Sequence, residues 1–335
     1  MAPGRHVARR VRDDMTVHVI ATGGTIASHW DGAEWTNIDG ASLIAELGEL
    51  PVDVHVTDVA AGPSSNLSVD QMVRIARSVQ TALAEGADGV VVVHGTDTIE
   101  LTAFTTQLLL GTDGRRAPVV FTGSMRPHSH PHPDGPSNVR DAIAAAASES
   151  ARGRDVLVCM DARLHSARFV RKVNAASVDA FDSYPHGPVG SVRDGVVDLW
   201  AGDEARPSAP DLRGPVAMLA MYPGIEPVAV AAALDGVVGA VVQGFGDLNL
   251  PHQVWPALAD AVGRGAAVLV ASATFTPNRG DDLREFGLAG AAGLPPQKAR
   301  LALMAGLAAH DDPGAAIDFA HHYAVDFDFN DRSTH

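Results

Sequence analysis

The chain reads as an α/β protein of two α/β domains, a larger N-terminal parallel-sheet domain and a smaller C-terminal α/β domain. Three observations predict this. Short β-branched runs alternate with longer helix-like segments. The 335 residues exceed the roughly 250 at which one hydrophobic core stops growing. A polar stretch with two prolines and no periodicity, Ala201–Leu212, separates two such alternating sets. The expected division is a flexible leader over 1–15, a first domain over 16–200, a linker over 201–213 and a second domain over 214–335.

The leader is basic but lacks the 7–15-residue apolar core of a secretory signal. Strands of the first domain are expected at Thr16–Ala21, Val52–Val59, Gly89–His94, Pro118–Thr122 and Asp155–Asp161. Each is nearly continuous in apolar character, as strands covered by helices on both faces are. Helices are expected at Val69–Glu85, Thr98–Leu110 and Asn138–Ser150, the first opened by a capping box from Ser68 and Gln71. The second domain repeats the alternation. Its strands are Val216–Met221, Ala240–Gly244 and Ala267–Ala271, and its helices Val228–Leu234, Val254–Val262 and Pro296–Ala309.

Composition removes several classes of function. With 46% hydrophobic residues the chain is not disordered. Its 40 acidic against 25 basic residues give a net charge of −15, which repels polyanions and excludes bulk binding to nucleic acid or an anionic membrane. No run reaches the ~18 apolar residues of a membrane span, and the reading is a soluble, cytoplasmic protein. The single cysteine, Cys159, excludes an internal disulfide and a cysteine-based zinc site. Lying in the apolar run Val156–Met160, it reads as a buried strand thiol.

Two strands end in small polar groups, at the edge where open α/β sheets collect ligands. The first runs into Thr22-Gly23-Gly24-Thr25-Ile26-Ala27, where two glycines permit a sharp turn that leaves the Thr25 hydroxyl open. A plain structural turn explains the same residues equally well. The third runs into His94-Gly95-Thr96-Asp97-Thr98. There Thr96 or Asp97 is expected to cap the following helix, or else to serve a substrate, with Asp97 holding an ammonium group. Lysine occurs only twice, at Lys172 and Lys298, in a chain that otherwise uses arginine. A lysine relays a proton where a guanidinium stays charged, which singles out Lys172. The tract His128-Ser-His130-Pro-His132-Pro-Asp134 has prolines that break helical ligand spacing and reads as a polar loop rather than a metal site, as does His321–His322.

Taken together, the segments at Thr22–Ala27 and His94–Thr98 resemble the two signature motifs of the bacterial-type L-asparaginase (asparaginase/glutaminase amidohydrolase) family. Gly123–Pro127, Asp134–Asn138, Phe169–Lys172, Gly244–Asn249 and Pro296–Arg300 are similar to further segments of that family. The resemblance implies hydrolysis of a side-chain amide to a carboxylate and ammonia, with Thr25 as nucleophile forming an acyl-enzyme ester. It implies that Thr96, Asp97 and Lys172 form a second constellation. Thr96 handles the water, Lys172 is its proton partner, and Asp97 orients Lys172 and grips the substrate ammonium. Ser64 and Ser65 fall where the family binds the substrate's α-carboxylate, and Asp247 where many members carry an asparagine contributed by a partner subunit. No metal or organic cofactor is implied. The partners implied are a small amino-acid amide and further copies of the chain, a dimer of dimers.

The chain departs from that pattern in the lid after the nucleophile, about Ser28–Asp39, which offers Trp30 and Trp35 in place of a tyrosine. Pro63 removes one N–H donor from the carboxylate turn, and Asp247 adds a carboxylate. The alternatives are a glutaminase or related amidohydrolase of the same fold, and a non-catalytic amino-acid sensor that has lost turnover with the tyrosine. A transfer-RNA amidotransferase subunit would carry a further partner-binding domain, for which 335 residues leave no room. A dehydrogenase lacks its glycine fingerprint here.

Overall fold

In the computed structural model of the protein, residues 15–30, 34–59, 62–111, 116–200 and 205–324 are described. The leader over 1–14, the lid tip over 31–33, the first four linker residues and the last eleven residues lie outside them. The chain divides into two units, Met1–Ala205 and Arg206–His335.

The first unit contains, in chain order, β1 (Thr16–Ala21), the short hairpin strands β2 (Ser28–Trp30) and β3 (Trp35–Asn37), α1 (Gly40–Ala45), β4 (Asp53–Asp58) and α2 (Val69–Ala84). There follow β5 (Gly89–Val93), α3 (Ile99–Leu110), β6 (Val119–Thr122), α4 (Gly135–Ala146), β7 (Leu157–Met160) and β8 (Arg163–Ser166). The unit closes with β9 (Arg171–Lys172), β10 (Phe181–Asp182), β11 (Gly190–Arg193) and β12 (Val196–Leu199). Eight strands form one sheet in the order β12-β11-β8-β7-β6-β5-β1-β4.

The central strands show why a continuous apolar run makes a buried strand. Every residue of β5, β6 and β7 is buried. Successive residues serve opposite faces: Val91 and Val93 pack in one core cluster, Val90 and Val92 in the other. Leu43, Val139 and Ile143 cover the first face, while Ile75, Val79, Ile99 and Ala103 cover the second. Each such valine contributes about 1.5–3 kcal/mol by leaving water. The capping box at Ser68 and Gln71 is complete.

Two expectations need correction. The strand near Val52–Val59 is not covered on both faces. As β4 (Asp53–Asp58) it sits at the sheet edge with most residues exposed or half-buried, and its sequence Asp-Val-His-Val-Thr-Asp alternates as a half-solvated strand does. Nor does the sheet stop at β7. The antiparallel β8, β11 and β12 extend it, and their runs are too short and too mixed to be legible as strands alone.

The second unit contains β13 (Val216–Ala220), α5 (Pro227–Ala233), β14 (Gly239–Gly244), α6 (Trp255–Gly263), β15 (Ala267–Ser272), β16 (Ala289–Gly290), α7 (Pro296–Ala309) and α8 (Pro313–His321). The four strands form a parallel sheet in chain order. Lys298 is fully buried in α7. The segment over 205–215 has no helix or strand, yet it is held to its unit by Arg206, whose Nε donates to the His322 carbonyl at 3.0 Å. Among the described residues no helix is long and apolar enough to cross a membrane.

Candidate functional site

The five parallel strands lie in the order β4-β1-β5-β6-β7. From β1 the chain moves to β4 on one side and then returns past β1 to β5 on the other. The loops after β1 and β5 therefore diverge around a crevice, the position where open α/β sheets bind ligands. The sequence puts glycine at the contact. Gly24 has φ +94, and a Cβ there would lie 2.5 Å from Gly95 Cα. A Cβ on Gly95 would in turn meet the Ser64 Cβ and Oγ, both at 2.7 Å. Only glycines allow the turns carrying Thr25, Thr96 and Ser64 to meet this closely.

Beyond β5, Thr96 is buried and Asp97 exposed. The Lys172 ammonium donates to Thr96 Oγ1 at 2.9 Å and to Asp97 Oδ1 at 2.7 Å. This overturns the expectation that Thr96 or Asp97 caps the following helix. The N-cap of α3 is Thr98, and its hydroxyl, instead of accepting from a helix N–H, donates to the Ser64 carbonyl at 2.9 Å. Thr96 and Asp97 are thereby left to Lys172, and Thr98 ties their loop to the turn of Ser64 and Ser65. Ser64 is buried beneath that turn and Ser65 is exposed on it.

Immediately before this loop, His94 is fully buried and pushed down to about 4 by desolvation, against the opposing effect of its bond to the Gly95 carbonyl. The ring is therefore neutral. Its Nδ1 must carry the proton, because the partner 2.7 Å away is a carbonyl oxygen that only accepts.

Thr25 opens a short 3-10 turn, Thr25–Ala27, and is half-buried. The turn is closed by the Ser28 hydroxyl donating to the Gly24 carbonyl at 3.1 Å. The hairpin beyond it is fastened at its base. His128 N–H donates to the Ser28 carbonyl at 3.0 Å and Trp30 N–H to Ser129 Oγ at 3.1 Å. The histidine tract thus serves as a strap, with His128 Nε2 3.1 Å from the Glu46 carboxylate. Asp134 closes the strap, accepting from Ser124 Oγ at 2.7 Å and from the Met125 and Arg126 N–H groups at 2.9 Å. Cys159 is fully buried, and burial pushes its thiol up. A cavity of about 400 Å³ lies on the Gly23 side of the turn, lined among others by Asp39, Asp58 and Val93. Asp39 caps α1 there, and its bonds to Ser42 hold the carboxyl below the usual range.

Asp247 belongs to the second unit, exposed on the loop after β14, where its Oδ1 accepts from Thr276 Oγ1 at 2.6 Å and Asn278 Nδ2 at 3.2 Å. Of the residues singled out in the sequence, Thr96, Asp97 and Lys172 touch one another, and the turns of Thr25 and Ser64 abut their loop. Two residues went unremarked. Thr98 was hidden by its ordinary helix-start position. Glu100, whose carboxylate accepts the Lys172 backbone N–H, looks like any acid in a first helical turn.

With the geometry in place, comparison with known proteins is informative. Residues 16–203 match the family model described as "Asparaginase, N-terminal", and residues 215–317 the one described as "Glutaminase/Asparaginase C-terminal domain". The chain is 32% identical to L-asparaginase 2 of Bacillus subtilis, covering 91% of this chain and 86% of that protein. To L-asparaginase 2 of Escherichia coli it is 31% identical, over 89% of this chain and 90% of that one. The crystal structure of a probable cytoplasmic L-asparaginase from Campylobacter jejuni superposes with a TM-score of 0.83 at 30% identity, covering 92% of this chain and 100% of that one.

Proposed function

The chain belongs to the asparaginase family of amidohydrolases, and from that premise we propose that it hydrolyses L-asparagine to L-aspartate and ammonia through a threonine acyl-enzyme. The observation that carries this reading is the Thr96–Lys172–Asp97 constellation set against the Gly24–Thr25 turn at the sheet's crevice.

In this reading the Thr25 hydroxyl attacks the side-chain amide carbonyl, ammonia departs, and an ester of the substrate's side-chain carboxyl remains on Thr25. Water then cleaves the ester. Thr96, hydrogen-bonded to an ammonium, is suited to position that water, and Lys172 to exchange the proton. Backbone N–H groups beside the threonines stabilise the oxyanion. Asp97, with its side chain 62% exposed, retains accessible surface for a substrate ammonium while fixing Lys172. Ser64 and Ser65 receive the α-carboxylate, and Asp247 approaches from a partner copy in a homo-oligomer, a dimer of dimers. The cytoplasm is the proposed location, in keeping with the Campylobacter jejuni relative described as a probable cytoplasmic L-asparaginase. Trp30 has no proton to exchange in place of a lid tyrosine, so a water or Lys172 activates Thr25.

A glutaminase is the second reading: Asp247, whose carboxylate accepts from two donors, stands where the family commonly has asparagine and alters the preference among asparagine, glutamine and related amides. The test is ammonia release from L-asparagine and L-glutamine by the wild type and Thr25→Ala. Release from asparagine that falls at least about 10³-fold in a folded Thr25→Ala supports the reading. Substantial turnover in the variant removes Thr25 as nucleophile, and no release from either amide by folded wild type favours the sensor.

A further inference from the structure

Lys172 lies on β9, which among the described residues pairs only with β10, Lys172 opposite Phe181. A two-stranded ribbon of two residues per strand is too weak to fix a side chain in place by itself. The side chain, moreover, has four rotatable bonds. Just past the ribbon, the Val173 N–H donates to the Ala180 carbonyl at 2.8 Å. The Lys172 N–H points elsewhere, and its acceptor is the carboxylate of Glu100, in the first turn of α3.

The start of α3 and the loop before it therefore grip Lys172 at both ends. Thr96 and Asp97 hold the ammonium at 2.9 and 2.7 Å, and Glu100 holds the main chain. Glu100 is half-buried, and it sits on the same rigid helix that the catalytic loop enters. Asp97 from the loop and Glu100 from the helix both turn their carboxylates to Lys172. The ordinary explanation of an acid in a first turn is the helix dipole. That role needs the negative charge but no particular partner, whereas the bond to Lys172 needs an acceptor atom at a particular reach.

We propose that Glu100 is a positioning residue for the reaction: by holding the Lys172 main chain it sets where the ammonium meets Thr96. The proposal rests on the role given to Lys172 above. It predicts a pattern that neither the dipole nor general stability produces. Glutamine keeps the acceptor and the length but loses the charge, and aspartate keeps the charge but loses the reach.

The experiment measures kcat and KM for ammonia release from L-asparagine, with thermal melting of each variant. The variants are Glu100→Ala, Glu100→Gln, Glu100→Asp, Lys172→Met and the Glu100→Ala/Lys172→Met double. Glu100→Ala is expected to lose about 10- to 100-fold in kcat, as a reacting group displaced by about 1 Å does, with KM within about threefold. Glu100→Gln recovers most of the loss, Glu100→Asp does not, and the double is no worse than Lys172→Met alone. The proposal is overturned by a Glu100→Ala kcat within twofold of wild type. It is overturned equally if aspartate rescues and glutamine fails, or if the two losses multiply in the double. If Glu100→Ala does not fold, the glutamine–aspartate pair decides by itself. A fully active Lys172→Met sinks the role of Lys172, and this proposal with it. An inactive Lys172→Met beside a normal Glu100→Ala sinks this proposal alone.

Discussion

The two halves of the candidate site are held by different means. On the β5 side each polar side chain has a partner: Thr96 and Asp97 with Lys172, Thr98 with Ser64, and Glu100 with the Lys172 main chain. On the β1 side the turn is shaped by Gly23 and Gly24, both at positive φ, by Thr22 donating through its N–H and hydroxyl to the Val93 carbonyl, and by the Ala27 N–H and Ser28 hydroxyl donating to the Gly24 carbonyl. Among the described residues the Thr25 hydroxyl makes no hydrogen bond. The difference teaches that one half is pre-assembled while the other presents its hydroxyl unengaged, which suits the proposed reaction, in which the first half would relay a proton and the second form and break a bond to substrate.

The sharpest way to break this comparison is Lys172→Arg. Arginine keeps the charge and both acceptors but not the proton relay, so kcat falls about 100-fold or more in an ammonia-release assay. Near-normal turnover would make the clamped half merely structural. Next is Gly24→Ala, which tests the backbone-held half. The residue has φ +94 and its new Cβ would press on Gly95 Cα at 2.5 Å. A loss of about 2–4 kcal/mol in denaturant unfolding is expected, with activity lost in step.

A smaller effect concerns His94, which underlies the clamped half. Its folded value is about 4 against 6.5 unfolded, so as pH falls the unfolded chain takes the proton first. The stability it confers is fully present above pH 6.5 and is lost as pH falls through about 4, a swing of about 3 kcal/mol. Unfolding curves across that window should steepen with acid in wild type and flatten in His94→Phe. An equal slope in both would show that the ring is not held neutral.

The smallest effect serves as a control in neither half. Burial raises Asp141 on α4 from 3.8 to about 6, so the folded chain holds that proton longer and stability falls as pH rises through this range. Asp141→Asn should gain about 1 kcal/mol at pH 7, discounted because the carboxyl is only partly buried. Catalysis should not change, and a Tm that stays level would show the carboxyl to be hydrated.

Much of the first unit was legible in its residues. The all-valine run of β5 and the Leu-Val-Cys-Met run of β7 are buried on both faces, and such runs announce themselves without any knowledge of neighbours. The Gly23-Gly24 pair likewise marked a sharp turn, and both residues have positive φ. Other features were not legible. Val52–Val59 looked like a central strand, but its exposure depends on what lies beside it in the sheet, and among the described residues no strand lies beyond β4. The helix cap was misassigned between Thr96 and Thr98, because every residue from 96 to 98 has a side chain able to cap.

What the sequence determined by itself is local: where strands and helices form, where the chain turns through glycine, and which residue types stand at the strand ends. These depend on spacings of two, three and four residues, which the covalent chain enforces. What the tertiary structure decided is which distant groups meet. Lys172 reaches Thr96 and Asp97 across separations of 76 and 75 residues. That meeting is set by the sheet order and by the ribbon that follows β8, and no periodicity encodes it. The same holds for Glu100, an unremarkable acid until the fold lays the Lys172 main chain against it.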